Sequence, residues 1–362
     1  MAEEPNSTTT QATHGASRRP IRHAVVTGGG GFVGSHLCVA LRARGAEVTC
    51  VDDFSSGAPA NVADLEDDVG FHLVEADVSH GDLADVVDPK TVDLVLHLAS
   101  SASPTDYLRR PLETLDAGSS GTRNALDLAE AAAARFVLAS TSEVYGDPAV
   151  HPQPEDYWGN VNPVGPRSVY DEAKRFAEAL TTAYRGARGV DTGIARIFNT
   201  YGPRMRPDDG RMIPTFITQA LAGEPLTVAG NGSQTRSVCY VDDLVEGLTA
   251  LAVSELPGPV NLGSHTEMTV AQVAADVLRA TGAATGVVHV ELPTDDPRQR
   301  RPDTTLAERE LGWHASTPWD VGLARTVDWF LQARSSGGAL AADLVPGAGL
   351  AAVPVDARRS GA

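Results

Sequence analysis

Tyr170 and Lys174 stand four residues apart in Ser168-Val169-Tyr170-Asp171-Glu172-Ala173-Lys174-Arg175. On a helix that spacing puts a phenol and an ammonium on one face. A buried cation favours the phenolate and lowers the tyrosine pKa. The pair is then a base that takes a proton from an alcohol while a nicotinamide ring takes the hydride. A solvated helix face has the same spacing, so the neighbours decide. Upstream lie the glycine-rich Gly28-Gly29-Gly30-Gly31-Phe32-Val33-Gly34 and Ser140-Thr141-Ser142-Glu143-Val144-Tyr145-Gly146.

The elements that must position these residues follow from apolar periodicity. Short apolar strands are expected at 22–27, 47–52, 71–77, 92–98, 135–139 and 193–198. Helices are expected at 35–44, 111–134 and 170–184. Strands alternating with helices imply an α/β fold with a Rossmann-type, doubly wound parallel sheet. After residue 200 the elements shorten and Gly and Pro multiply. The expected organisation is a leader at 1–20, a Rossmann domain at 21–200, a smaller α/β substrate lobe at 201–333, partly interleaved with it, and a tail at 334–362.

The chain has 362 residues and a formal net charge of -18. That acidity argues against a nucleic-acid partner. It leaves room for local basic pockets, and Arg204, Arg206 and Arg211 form one cluster, Arg298, Arg300 and Arg301 another. Either cluster is also compatible with solvated loop cations. No segment has the length and apolarity of a membrane span, and the polar residues 1–20 lack the apolar core of a signal peptide. Cys38, Cys50 and Cys239 lie in apolar surroundings without metal-ligand spacing, as reduced thiols of a cytoplasmic protein would. No metal site is expected.

Gly28, Gly31 and Gly34 fall between a strand and a helix, where glycine lets backbone N–H groups approach a pyrophosphate at the helix N-terminus. Asp52 ends the second strand, where a carboxylate accepts from both ribose hydroxyls and repels a 2′-phosphate. NAD is therefore expected over NADP. A turn or helix cap is the other use for Asp52-Asp53. Asp77, at the end of the third strand, could reach the adenine, and Leu98-Ala99-Ser100 would line the path to the nicotinamide.

Together these residues resemble an extended short-chain dehydrogenase/reductase of the nucleotide-sugar epimerase and dehydratase group. Over 136–242 the chain is more narrowly similar to the UDP-glucuronate decarboxylase (UDP-xylose synthase) family. The similar segments are Leu138-Ala139-Ser140-Thr141-Ser142-Glu143-Val144-Tyr145-Gly146, the stretch from His151 to Pro163, Ala195-Arg196-Ile197-Phe198-Asn199-Thr200-Tyr201-Gly202-Pro203-Arg204-Met205, and Gly232-Ser233-Gln234-Thr235-Arg236. The resemblance spans roughly residues 22–330.

The resemblance implies oxidation of the sugar at C4, loss of CO2 from the resulting β-keto acid, and return of the hydride. It makes Tyr170 the base, Lys174 its tuner and Thr141 a hydrogen-bond partner of the same hydroxyl. Glu143 would serve the C5 region, and Arg300 would contact the carboxylate or supply the proton, with Arg301 one residue away in register. A loop-bracing carboxylate and a surface cation are the alternative roles of Glu143 and Arg300. Phe32, Val33, Asp53, Ser55, Val78, Thr200 and Arg206 are implied to join the glycine loop around NAD. Asn199, Gly210, Arg211, Met212, Thr227, Val228 and Arg236 are implied to hold the UDP-sugar. A homodimer through a four-helix interface, built from 111–134 and 170–184, is also implied.

Some residues depart from the family. Lys-Thr-Asn is usual where this chain has Asp116-Ala117-Gly118, and a Pro is usual at Ser101; Arg109 and Arg110 also differ. An anion for a cation, and Gly for Asn, would loosen the sugar seat and release some UDP-4-keto-xylose beside UDP-xylose. A 4-epimerase would not need Glu143 with Arg300. A 4,6-dehydratase usually has Asp-Glu at Ser142-Glu143. A non-enzymatic NAD-binding regulatory protein would have lost Tyr170 or Lys174, and both are present.

Overall fold

The computed structural model describes residues 20–292 and 299–335. All but Pro20 of the expected leader at 1–20, Arg298, and the expected tail at 334–362 beyond residue 335 lie outside the described residues. The chain opens with β1 (His23–Thr27), α1 (Phe32–Ala43), β2 (Glu47–Asp52), β3 (Phe71–Glu75) and β4 (Leu94–His97). Then come α2 (Pro104–Arg109), α3 (Pro111–Asp116), α4 (Thr122–Ala132), β5 (Arg135–Thr141), α5 (Ser168–Arg188) and β6 (Thr192–Ile197).

The second half holds β7 (Thr200–Tyr201), α6 (Met212–Ala222), β8 (Leu226–Ala229), β9 (Thr235–Ser237), β10 (Cys239–Tyr240) and α7 (Val241–Val253). It ends with β11 (Val260–Leu262), β12 (Glu267–Thr269), α8 (Val270–Thr281), β13 (Val287–Val290), β14 (Gln299–Arg300), α9 (Thr305–Leu311) and α10 (Trp319–Ser335).

Seven strands make one parallel sheet in the order β11-β6-β5-β4-β1-β2-β3. This is the expected Rossmann-type fold, and all six strands read from periodicity are in it. The seventh, β11, comes from the second half of the chain. Three residues are too short to show a period. Along the strands, alternate residues feed two cores: Val137 goes to one face of the sheet, Phe136 and Leu138 to the other. Both faces are covered, which is why these strands read as continuous apolar runs.

Of the boundaries that differ from expectation, three have a clear local reason. Helix α1 begins at Phe32, because Gly31 in extended conformation already serves as its N-cap. Strand β3 ends at Glu75, so Asp77 lies in the loop beyond, where its carboxylate accepts from the Ser79 N–H at 2.8 Å. The expected helix at 111–134 is interrupted by a π-turn at Ala117–Gly121. There Gly118 abuts α5: a Cβ at residue 118 would lie 2.7 Å from the Ala173 Cβ. On α5 the buried residues Tyr170, Ala173, Lys174, Ala177, Thr181 and Tyr184 follow helical spacing.

No described helix is long and apolar enough to cross a membrane, and the described residues hold no cluster of metal-ligating side chains.

Candidate active site

One cleft runs along the C-terminal ends of β1, β2, β4, β5 and β6, the usual ligand position of an open parallel sheet. At one end the glycine loop forms its floor. Gly28 has φ +72°, and a Cβ there would lie 2.6 Å from the Ala99 backbone nitrogen. A Cβ at Gly34 would lie 2.0 Å from the Gly28 carbonyl oxygen. Gly31 caps α1 with no side-chain hydrogen bond, which leaves the first-turn N–H groups without a side-chain cap. Phe32 and Val33 line the same end.

Asp52 is buried at the end of β2 and also lines the cleft. Its Oδ2 accepts from the Gly30 N–H and its Oδ1 from the Phe54 N–H, both at 2.8 Å. Burial raises its pKa, and the two N–H donors pull against that. Asp52 therefore braces the turn, and it also lines the cleft. Asp53, Ser55, Asp77 and Val78 flank it; Leu98 and Ser100 continue along the wall. The Ser100 hydroxyl oxygen is buried without a hydrogen-bond partner. A glycine floor that no Cβ would fit, a bare helix N-terminus and an orphaned hydroxyl suit a dinucleotide pyrophosphate and ribose.

Thr141 ends β5 and faces Tyr170 and Lys174 from α5. The Lys174 ammonium donates to the Ala139 carbonyl at 2.9 Å and sits 6.0 Å from the Tyr170 ring centroid. Burial lowers its pKa to about 8, with Glu178 opposing. The expectation that this cation depresses the Tyr170 pKa needs correction. Burial raises the phenol above its usual value, against hydrogen bonding with Thr141 and the charge of Arg211. The ammonium is turned toward a backbone carbonyl, and desolvation dominates. Tyr107 stacks on Tyr170, with centroids 5.3 Å apart and planes 9° apart.

Beside this pair, Glu143 is wedged between two arginines. Arg167 Nη2 donates to its Oε2 at 2.6 Å and Arg300 Nη2 to the same oxygen at 3.0 Å, while Arg300 Nη1 donates to Oε1. Burial alone would raise the Glu143 pKa. The charges of Arg300 and Arg167 more than offset it and hold it at about 2. Arg301 does not reach Glu143: its N–H donates to the Gln153 Oε1 at 2.8 Å, and its carbonyl accepts from the Gln153 N–H at 2.9 Å. The fully buried Gln153 thus sets the register that aims Arg300 inward.

The far end of the cleft carries Asn199, Thr200, Arg206 and Arg211. Each of the nearby arginines has an acidic partner: Arg204 with Asp64, Arg206 with Asp106 and Asp208, Arg211 with Asp209. Gly210 and Met212 flank Arg211, with Met212 opening α6. Gly210, Met212 and Arg300 lie off the cleft lining, and so do three more expected contacts. Thr227 exchanges hydrogen bonds with Gln219 at 2.9 and 3.0 Å. Arg236 donates to the Thr235 carbonyl at 2.9 Å and stands opposite Arg300 in the β9–β14 ladder. Val228 is a correction: its side chain is 1% exposed in the core, because β8 alternates buried and half-buried residues.

The argument from Asp116 and Gly118 is corrected too. Asp116 is exposed and absent from the cleft wall, and a side chain at 118 would meet Ala173 rather than a sugar. Arg167 and Tyr107 were not read from the sequence. Arg167 lies one helical turn before Tyr170, a spacing that could have marked it.

A model of the "NAD dependent epimerase/dehydratase family" matches residues 24–263. The chain belongs to the NAD-dependent epimerase/dehydratase family. Within this family, UDP-glucuronic acid decarboxylase 1 of Xenopus tropicalis is 46% identical over 316 residues, 87% of this chain and 73% of that protein. UDP-glucuronic acid decarboxylase 4 of Arabidopsis thaliana is 47% identical over 315 residues, 87% of this chain and 70% of that protein. Among solved structures, a dTDP-glucose 4,6-dehydratase from Streptomyces venezuelae with NAD and TYD bound matches with TM-score 0.80 and 28% identity, covering 88% of this chain and 99% of that one. An epimerase from Methanothermobacter thermautotrophicus matches with TM-score 0.81 and 28% identity, covering 87% and 94%. The NAD-dependent epimerase/dehydratase fold thus extends well past the 24–263 match.

Proposed function

We propose that this protein decarboxylates UDP-glucuronate to UDP-xylose with NAD bound in the cleft. The observation that carries the reading is Glu143 held between Arg167 and Arg300 beside Thr141 and Tyr170. The names of the relatives at 46–47% identity support it.

NAD, when bound, supplies the hydride acceptor for C4 and the donor that later returns it. Tyr170 takes the C4 hydroxyl proton in its phenolate form, which the charge of Arg211 and the positive nicotinamide ring of bound NAD would favour, with Thr141 orienting that hydroxyl. A ketone at C4 makes the C5 carboxylate a β-keto acid, so CO2 loss leaves an enolate. Arg300 and Arg167 are preorganised cations for the carboxylate and for that developing charge. Glu143 keeps both forks pointed at one place. Asn199 and Arg211 hold the diphosphate end, and Asp52 selects NAD over NADP by repelling a 2′-phosphate.

The proposal includes a homodimer through α3, α4 and α5, where Leu112, Leu115 and Phe176 are 70%, 38% and 47% exposed. It also includes a cytoplasmic location, compatible with three buried, unpaired thiols.

The test is incubation with UDP-glucuronate and NAD, followed by mass analysis. A UDP-pentose with release of CO2 is expected. Recovery of a UDP-hexuronate epimer, or of unchanged substrate, would overturn the reading.

A further inference from the structure

Asp171 is a buried carboxyl that the proposed steps leave unused. It follows Tyr170 on α5 and is 5% exposed. Its Oδ1 has no hydrogen-bond partner, and neither has the buried Nε of Arg167, four residues earlier. An ionised carboxylate with an unsatisfied buried oxygen is costly, and the neutral acid is much less so.

Charged groups face Asp171 from several elements. Glu143 comes from the turn after β5, Arg167 from the residue before α5, Arg300 from β14 and Glu172 from α5 itself. The phenols of Tyr107 on α2 and of Tyr170 complete the surroundings, and burial pushes both up. Burial and the charge of Glu143 hold the Asp171 carboxyl up at about 7, against the pull of Arg167 and Arg300. The two arginines and Glu143 leave one net positive charge, which an ionised Asp171 would cancel.

A substrate carboxylate docking at Arg300 competes for that same charge. We infer that docking of the sugar carboxylate drives Asp171 to take up a proton and hold it through decarboxylation. The inference rests on the hexuronate reading of the site. Asp171 is a positioning residue here: it acts on the carboxylate through Arg167 and Glu143.

The proton balance closes. The C5–C6 bond breaks, its electron pair stays on C5 and spreads to the C4 oxygen, and CO2 leaves. One proton then forms the new C5–H bond. A carboxylate and a proton have become CO2 and a C–H bond, so each turnover consumes one proton. The uptake at Asp171 on binding matches that demand in number. Once CO2 has left, the competing anion is gone and Asp171 ionises again.

The test uses NAD-loaded protein carrying Tyr170→Phe, which binds without turnover. UDP-glucuronate is titrated calorimetrically near pH 8, about one unit above the Asp171 carboxyl, in two buffers of different ionisation enthalpy. Uptake approaching one proton is expected with UDP-glucuronate and almost none with UDP-glucose, which lacks the carboxylate. Adding Asp171→Asn should abolish the uptake while binding persists. Equal uptake with the two sugars, or undiminished uptake in the Asp171→Asn protein, would overturn the inference. Should Asp171→Asn fail to fold, a pH series on the parent decides: uptake must fade below about pH 6, where Asp171 already holds its proton. Binding of UDP-glucuronate without proton uptake removes this inference alone. Binding of UDP-glucose but not UDP-glucuronate removes the proposed function with it.

Discussion

Arg300 and Arg167 share one carboxylate oxygen, the Oε2 of Glu143, at 3.0 and 2.6 Å. The charges of these two arginines hold the Glu143 carboxyl at about 2, so it is ionised at neutral pH. Glu143→Gln should keep some C4 oxidation, seen as NADH absorbance, while labelled CO2 release falls about tenfold or more. CO2 release at the parent rate would make Glu143 a brace only. The sign of the stability effect follows from the lowered pKa. The paired carboxylate stabilises the fold above its ordinary range near 4.5 and loses that effect as pH falls toward 2. The drop in Tm caused by Glu143→Gln should therefore be larger at neutral pH than at acidic pH.

Tyr170→Phe should lower turnover on the order of 10²–10⁴-fold, the usual contribution of a positioned base. The ring keeps its stacking on Tyr107, so the protein should still hold NAD, as measured by cofactor content after gel filtration. Activity near that of the parent would remove Tyr170 from the reaction.

Asp52 faces the cleft while bracing Gly30 and Phe54. NAD should bind more tightly than NADP by calorimetry, and Asp52→Asn should narrow the gap by removing the charge that repels a 2′-phosphate. The same change weakens the turn, so a lower Tm is expected with it. Equal affinities in the parent would move Asp52 away from the ribose.

Gln153 links the 151–163 segment to the strand that carries Arg300, through its backbone and its side chain. Gln153→Leu should slow CO2 release more than C4 oxidation, because Arg301 loses its anchor and Arg300 its aim. The two rates are read on one sample by labelled CO2 and by NADH absorbance. Equal losses in both would reduce Gln153 to a packing role.

Gly118→Asn should destabilise the fold by about 1–3 kcal/mol, the typical cost of overpacking. Its Cβ would lie 2.7 Å from the Ala173 Cβ and 3.0 Å from the Ala173 carbonyl oxygen. Thermal unfolding measures it. Asp116→Lys, on an exposed residue outside the cleft wall, should leave the product ratio unchanged.

Local chemistry carried most of the sheet. Strand β2 runs over the residues its apolar run marked, and β1 and β6 fall within a residue or so of expectation, because a strand buried on both faces must be apolar throughout. The glycine loop, Tyr170 and Lys174 were legible for a similar reason: turn geometry and helical spacing are local constraints. Strand β11 and the strand carrying Arg300 were not, since two or three residues show no period and pair only with partners far along the chain.

What the sequence alone determined is the class of fold, the glycine floor of the cleft and the side chains of Thr141, Glu143, Tyr170 and Lys174 that line it. What tertiary structure decided is how those residues act on one another. It turned the Lys174 ammonium to the Ala139 carbonyl, so that burial rather than a cation sets the Tyr170 phenol. It chose Arg300 over its neighbour Arg301 through the grip of Gln153, and added Arg167 to the same carboxylate. It placed Val228 in the core and Gly118 against a helix. Spacing along a chain fixes which side chains share a face, but charge, desolvation and close packing depend on what comes to stand opposite that face, and those groups arrive from elements up to 157 positions away.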